Sequence, residues 1–172
     1  LSLAAGVAVA EALRGLGLSG VGLKWPNDLV ADGHKLGGLL VEGGGEFAGP
    51  ARAVIGIGLN VHMPAAAAAA IDQPWTDLDT LAGRRMERTV VGTAVLDALL
   101  PALDLFDVQG LAPFLPRYAA LDCLTGREVR VELHGHWREG QALGLAEDGA
   151  LRVRIDGSEH LLHAGEVSVR AQ

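Results

Sequence analysis

The sequence has a single cysteine, no long uncharged apolar run and no excess of basic residues. Cys123 stands alone, so the chain cannot form an internal disulfide. Glu11 and Arg14 interrupt the first apolar stretch, and no run of about 18 uncharged apolar residues predicts a membrane span. The formal net charge is −7, which argues against nucleic-acid binding through a basic surface. With no recognisable signal peptide, we expect a cytoplasmic protein without a membrane partner.

What the sequence does contain indicates a folded protein with many tight turns. Hydrophobic residues make up 49% of the chain and charged residues 20%, which is enough for a packed core. The 24 glycines are about twice the roughly 7% of average usage. This excess favours tight turns and a pocket lined by backbone.

The stretch from Leu23 to Asn60 carries the clearest pattern. Pro26 fixes its own φ and pushes Trp25 towards an extended conformation, so we predict that the segment continues as a strand to Ala31. Asp32-Gly33 then predicts a tight turn, because glycine accepts the positive φ of a two-residue hairpin loop. The chain should return in a second strand.

That second strand is predicted from Lys35 to Glu42, and a third follows over the apolar run that ends near Asn60. Three adjacent strands would bring Lys24, the doublet Gly37-Gly38 and Asn60 together. Glycine inside a strand weakens it unless a ligand or another backbone comes close. We therefore interpret the doublet as one wall of a pocket.

The chemistry of these residues suits an anionic ligand. The ammonium group of Lys24 is a compact charge for a carboxylate or phosphate oxygen, and Asn60 offers a donor and an acceptor, as adenine recognition requires. No cysteine pair, histidine cluster or Ser/His/Asp set accompanies them. The sequence predicts electrostatic positioning of a phosphoryl or acyl-phosphate group and no covalent catalysis by the protein.

Three ordered segments resemble the signature segments of biotin protein ligases, with similar spacing. They are Lys24-Trp25-Pro26-Asn27-Asp28-Leu29, Lys35-Leu36-Gly37-Gly38-Leu39-Leu40-Val41-Glu42 and Gly56-Ile57-Gly58-Leu59-Asn60-Val61. The resemblance implies an α+β fold, a mixed or antiparallel sheet with packed helices related to class II synthetases. It also implies that biotin and ATP with Mg²⁺ give biotinyl-5'-adenylate and pyrophosphate. The biotinyl group would then pass to a lysine of a carrier domain in a carboxylase.

The resemblance also implies roles for single residues. Lys24 would be the catalytic residue, against the carboxylate of biotin and the adenylate phosphate, and Asn60 would reach the adenine. Gly37 and Gly38 would flank biotin, and Trp75 would be a lid residue on the adenine side.

Three further polar residues carry alternatives. Lys35 is either solvated or a second cation near the pyrophosphate leaving group. Asn27 and Asp28 either hold the turn through local side-chain bonds or act at the phosphate or Mg²⁺. We assign no residue of this sequence as a metal ligand.

The pattern changes along the second half of the chain. Ser2 to Leu13 predicts a helix, and a second helix opens near Glu87, which Pro101 should kink or end near Leu100. From Thr125 the hydrophobic period is two, and five short strands predict a small antiparallel barrel, which resembles the SH3-like carboxy-terminal domain of the ligases. We predict a partial catalytic domain over 1–122 and an SH3-like domain over 123–172. The histidines of the barrel, His134, His136, His160 and His163, should face solvent, and Cys123 should be a small buried residue.

Several alternatives stay open from the sequence. Family members carry a glycine- and arginine-rich loop upstream of the region matched here, and the chain begins at Leu1, so we interpret it as a truncated sequence. The polyalanine run Ala65 to Ala70 predicts a surface helix turn or a spacer. Lipoate ligase, which also activates its acid as an acyl-adenylate, is one alternative function. A noncatalytic protein-binding module is another. A homodimer remains an open assembly.

Overall fold

The structure is a computed structural model that describes residues 1–44, 52–64, 73–133, 135–163 and 169–171. The polyalanine run and His134 lie outside the described residues. The helices are α1 (Ser2–Gly15), α2 (Leu78–Ala82), α3 (Arg88–Gln109) and α4 (Leu115–Ala119), with a 3-10 turn at Ala112–Phe114. The strands are β1 (Val21–Lys24), β2 (Asp28–Ala31), β3 (His34–Gly44), β4 (Arg52–Leu59), β5 (Glu128–Leu133), β6 (His136–Leu145), β7 (Leu151–Ile155), β8 (Ser158–Leu162) and β9 (Val169–Ala171).

Strands β1 to β4 form an antiparallel sheet in the order of the chain, with α1 packed on one face. Helix α1 buries alanines and valines, whose small side chains let it lie close to the sheet. The alternate residues Leu23, Leu29 and Leu39 point from the strands into the same core. This confirms the predicted α+β class and the predicted first helix.

The sequence prediction was wrong about the segment Trp25-Pro26-Asn27. These residues do not continue a strand; they form the turn of a hairpin, with a cis Trp25–Pro26 peptide bond, that connects β1 to the antiparallel β2. The first sheet therefore has four described strands where three were predicted. The predicted turn at Asp32-Gly33 is confirmed, with positive φ at both residues.

Helix α3 does not end near Leu100, which was one of the two outcomes predicted for Pro101, but continues through this proline to Gln109. Proline removes one backbone hydrogen bond, but the residues on either side keep the helix docked through the buried side chains Val91, Val95, Leu99 and Ala102. By length and composition alone, α3 is also apolar enough to cross a membrane. Of the 18-residue stretch of α3 that meets this criterion, 22% is buried in the fold. After α3, the chain forms the 3-10 turn and then the five-residue α4.

Strands β5 to β9 form a second antiparallel sheet in the order β8-β7-β6-β5-β9. Val129, Val131, Leu151 and Val153 alternate inwards and build a core of their own. The period-two pattern predicted this five-stranded unit, which is confirmed. One member of this second core comes from the first sheet's hairpin turn: the side chain of Trp25.

Candidate active site

One row of residues crosses all four strands of the first sheet. Lys24 pairs with Asp28, Asp28 with Gly38, and Gly38 with Gly58. Residues directly opposite each other in an antiparallel sheet share a face, and the face of this row is the one turned away from α1. The row joins two residues of the first signature segment to one glycine from each of the other two.

An acidic residue holds both lysines of the sequence. Asp28 Oδ1 lies 2.6 Å from Lys35 Nζ, and Asp28 Oδ2 lies 3.9 Å from Lys24 Nζ. The three side chains are partly buried, with 20–34% of each exposed. Because the sequence contains only these two lysines, all of its lysine side chains meet at this one carboxylate.

A local irregularity aims Lys35 at the site. Lys35 and Gly38 are an odd number of positions apart on β3, and in a regular strand such residues point to opposite faces. The pairing of β2 with β3 shifts register between Leu29 and Val30, and a shift of this kind re-aims side chains. Lys35 thereby reaches Asp28 on the same face as Gly38.

Beyond the charged end, the face of the first sheet that is turned away from α1 is lined by two glycines of β4. Gly56 and Gly58 are exposed, and a Cβ added to either would meet only ordinary contacts, at 3.6 Å or more. Leu40, which pairs with Gly56, is 61% exposed, and Val54 is 68% exposed. The face thus runs from two cations, over bare backbone, to the exposed side chains of Leu40 and Val54, with the exposed Glu42 opposite Val54; we call it the open trough.

Sequence reasoning did not assign Gly56, Gly58 or Leu40 to the site. A signal for the two glycines was present in Gly56-Ile57-Gly58-Leu59, where glycine alternates with large apolar residues. With the period of two that strands have, this pattern predicts a strand with one buried apolar face and one bare face.

The absence of a side chain at Gly37 and at Gly38 has a different structural reason in each case. A Cβ on Gly37 would lie 2.2 Å from the carbonyl oxygen of Gly58, so the backbone of the neighbouring strand excludes any side chain there. A Cβ on Gly38 would lie 3.3 Å from Asp28 Oδ1 and 3.8 Å from Lys35 Cε. Gly38 therefore leaves room for the ion pair, while Gly37 packs against backbone and faces away from the trough.

Asn27 anchors the hairpin turn to β3. Its Nδ2 donates to the carbonyl of Leu39 at 2.7 Å, and its own carbonyl accepts from the Leu39 N–H at 2.9 Å. These bonds correspond to the turn-holding alternative considered for this residue. Asp28, the next residue, points its carboxylate to the two lysines.

Asn60 lies at the end of β4 and ties three segments together. Its Nδ2 donates to the carbonyl of Thr76 at 3.1 Å and lies 3.4 Å from that of Lys35. Lys35 in turn pairs with the backbone around Trp75, through bonds from Lys35 N to Pro74 O and from Thr76 N to Lys35 O. Asn60 and the half-buried Trp75 are thus both held beside Lys35.

The segment after Tyr118 covers the outer edge of β1. Leu23 N donates to the carbonyl of Leu121, and Cys123 N donates to the carbonyl of Leu23. Cys123 is half-buried, where a buried residue was expected; burial, with the nearby Asp122, raises the pKa of its thiol, against the opposing effects of Arg127 and Lys24. The thiol stays protonated at neutral pH and serves as packing beside the site.

Within the described part of the chain, no group of three or more histidine, cysteine or carboxylate side chains could hold a metal ion. Asp28 nevertheless offers a carboxylate next to the trough. Mg²⁺ in nucleotide sites is commonly held by one or two carboxylates together with substrate phosphates. The residues therefore fit a Mg²⁺ ion that arrives with a nucleotide.

Two family models match the chain in sequence. Residues 1–60 match the biotin/lipoate A/B protein ligase family, and residues 124–170 match the biotin protein ligase C terminal domain. These two segments contain, respectively, the open trough and the second sheet.

Individual relatives agree with the family models. The bifunctional ligase/repressor BirA of Escherichia coli is 37% identical over 171 residues, which are 99% of this chain and 53% of that protein. The biotin--[acetyl-CoA-carboxylase] ligase of Mycobacterium tuberculosis is 34% identical over 97% of this chain and 61% of its own length. The chain thus spans little more than half the length of these relatives.

A solved structure shows the same arrangement in three dimensions. The biotin protein ligase from Aquifex aeolicus in complex with biotin and ATP superposes with a TM-score of 0.82 at 26% identity, covering 99% of this chain and 71% of that one. The segment with the trough thus belongs to the biotin/lipoate A/B protein ligase family, and the segment with the second sheet belongs to the biotin protein ligase C terminal domain family.

Proposed function

We propose that the protein carrying this chain joins biotin to ATP, giving biotinyl-5'-adenylate and pyrophosphate, and then transfers biotin to a lysine of a carboxylase carrier domain. The open trough is the observation that carries this proposal. It offers cations at one end and apolar side chains at the other, with bare backbone between. Biotin has the matching polarity, with a carboxylate at one end and an apolar chain leading to its ring.

The reaction needs charge stabilisation more than a nucleophile from the protein. The carboxylate of biotin attacks the α-phosphorus of ATP, and the bond to the leaving pyrophosphate breaks. Lys24 and Lys35 stand where the two anions must approach each other, and fixed cations stabilise such a transition state without reorganising. Mg²⁺, when bound with the nucleotide, neutralises phosphate charge and orients the leaving group.

Asp28 prepares the two lysines for this task. In the structure its carboxylate lies between them and keeps both ammonium groups on the trough face. An incoming carboxylate and α-phosphate replace part of this interaction, so the cations are already oriented when the substrates bind. Asp28 is also the carboxylate that we propose for Mg²⁺.

The nucleotide side of the site is proposed beyond Lys35. Asn60 and Trp75 are held next to that residue by the bonds from Asn60 to Thr76 and Lys35. With Nδ2 committed to carbonyl groups, Asn60 keeps its Oδ1 as the acceptor for the exocyclic amine of adenine. Trp75 would cover the ring.

Lipoate ligation is the second candidate, since lipoate also joins a carboxylate to an apolar chain and the first family model includes both ligases. The second family model favours biotin, because it describes the carboxy-terminal domain of biotin protein ligases alone. The noncatalytic alternative predicts no adenylate with either acid.

Three other expectations accompany the proposal. We keep the domain boundary between residues 122 and 123, close to the start of the second family match at 124. We also keep the cytoplasmic location. A homodimer remains an open assembly.

The trough can be tested with a substitution that the protein itself accommodates. Gly56→Val introduces a side chain that is favourable in a strand, and its Cβ makes only ordinary contacts, at 3.6 Å or more. The valine side chain occupies the space above the glycine backbone of the trough. We expect biotin to bind at least about tenfold more weakly, a loss of ~1.4 kcal/mol, by calorimetric titration of the full-length protein.

The matched control is Gly43→Val on β3. Gly43 also has room for a side chain, with nothing within 4 Å of an added Cβ, and it alternates to the other face of the sheet. It should bind biotin as the wild type does. Unchanged affinity in Gly56→Val, with a normal unfolding curve, would place the ligand elsewhere.

A further inference from the structure

The side chain of Trp25 connects the two sheets. It is 2% exposed and packs in the core of the second sheet with Leu124, Val129 and Leu151, although its backbone belongs to the hairpin of the first sheet. Its Nε1–H donates to the carbonyl of Gly149 at 3.1 Å, across 124 positions of sequence. The residue immediately before it is Lys24.

The turn that accepts this hydrogen bond is itself fixed. Gly149 has a φ of +87°, its N–H donates to Ala146 at 3.0 Å, and the N–H of Ala150 donates to the carboxylate of Asp148. A Cβ on Gly149 would lie 2.8 Å from Leu3 Cδ1 and 2.9 Å from Leu111 Cδ2. The turn between β6 and β7 therefore lies between the indole ring on one side and Leu3 and Leu111 on the other.

The backbone of Lys24 is consequently held on both sides. On one side β1 pairs with β2 and with the segment from Leu121 to Cys123. On the other side the indole of Trp25 fixes the direction in which the chain leaves the strand. A shift of the indole must therefore move the base of the Lys24 side chain, and misplacing a reacting group by about 1 Å can cost about a hundredfold in rate.

We propose that Trp25 is a positioning residue, through which the turn at Gly149 of the second sheet sets the place of the Lys24 ammonium group in the trough. This inference rests on the proposed function for its rate prediction. Its structural content, that the position of Lys24 depends on the Trp25–Gly149 contact, holds for any ligand of the trough.

Two variants of the full-length protein test the coupling, and a third variant serves as a matched control. Trp25→Phe keeps an apolar ring but removes the donor to Gly149, and Gly149→Ala pushes the turn against Leu3 and Leu111. Gly157→Ala is the control, because Gly157 also has a positive φ, of +81°, in the next hairpin turn, yet nothing lies within 4 Å of an added Cβ. Comparing the two alanine variants separates backbone strain from displacement of the turn.

The kinetic readout is biotin-dependent exchange of labelled pyrophosphate into ATP. We expect Trp25→Phe and Gly149→Ala to lower kcat at least about tenfold with KM for ATP within about twofold, while Gly157→Ala stays near the wild type. In a Lys24→Ala background, Trp25→Phe should add almost nothing, since coupled residues are not additive. Equal losses in Gly149→Ala and Gly157→Ala, or full additivity with Lys24→Ala, would overturn the proposal.

A readout without catalysis separates this proposal from the proposed function. Lysine amines are dimethylated with ¹³C-formaldehyde, and the Lys24 signal is assigned by its loss in Lys24→Arg. We expect this signal to shift in Trp25→Phe and Gly149→Ala and to stay in place in Gly157→Ala. If the wild type exchanges no pyrophosphate but the signal shifts, the biotin function fails and the coupling stands; an unmoved signal overturns the coupling.

Discussion

At the scale of residues, the site depends on two lysines and one aspartate. Lys35 makes the close contact with Asp28, at 2.6 Å, and Lys24 the longer one, at 3.9 Å. The longer contact leaves the ammonium group of Lys24 less tied to the protein and readier to meet an incoming anion. This difference supports Lys24 as the cation of the transition state and Lys35 as the cation that Asp28 orients.

Replacing Lys24 tests this assignment. In the full-length protein Lys24→Ala should slow adenylate formation by roughly a hundredfold or more, because loss of one preorganised donor costs about 3 kcal/mol in the transition state. Single-turnover formation of the adenylate measures the step directly.

Arg152→Ala is the control for a lost positive charge. Arg152 lies on β7 in an exposed pair with Glu159, on the second sheet. It should leave the rate unchanged. A Lys24→Ala protein that forms adenylate as fast as this control would remove Lys24 from the mechanism.

At the scale of elements, helix α3 shows how packing overrides a local signal. Pro101 predicts a kink or an end, yet the helix runs from Arg88 to Gln109 because side chains on both sides of the proline are buried against the rest of the fold. Pro101 itself is exposed. The missing backbone bond and the clash with the preceding turn therefore remain an uncompensated cost.

Pro101→Ala should accordingly stabilise the protein. Proline in a helix interior costs up to about 3 kcal/mol relative to alanine, and an exposed position adds no change in packing. Chemical denaturation should show a higher free energy of unfolding.

Pro116 supplies the comparison. It is also exposed, but it lies in the first turn of α4, where proline is tolerated because its missing N–H has no partner to lose. Pro116→Ala should change the free energy of unfolding little. An equal gain in both variants would mean that the helix position of Pro101 has no special cost.

At the scale of the whole molecule, local patterns predicted β3, β4 and the second sheet, and they singled out Lys24, Asp28 and Lys35, which the fold brings together. They did not predict what depends on distant contacts. The hairpin turn at Trp25 is stabilised by bonds to Leu39 and Gly149, far away in sequence. The aim of Lys35 depends on a register shift against β2, and single-strand periodicity carries no information on register.

The glycines of the trough separate what the sequence could predict from what only the assembled fold decides. Gly56 and Gly58 alternate with apolar residues, so their face was readable in principle. That no described residue covers this face is a property of the assembled fold, since α1 packs on the opposite side.

Biotin is the acid that we propose for the open trough. The most direct measurement is exchange of labelled pyrophosphate into ATP by the full-length protein, with biotin and with lipoate offered separately at matched concentrations. We expect exchange that depends on biotin and that needs at least about tenfold more biotin in Gly56→Val. Exchange with lipoate and none with biotin would assign the chain's chemistry to the other ligase, and no exchange with either acid would contradict an adenylating enzyme altogether.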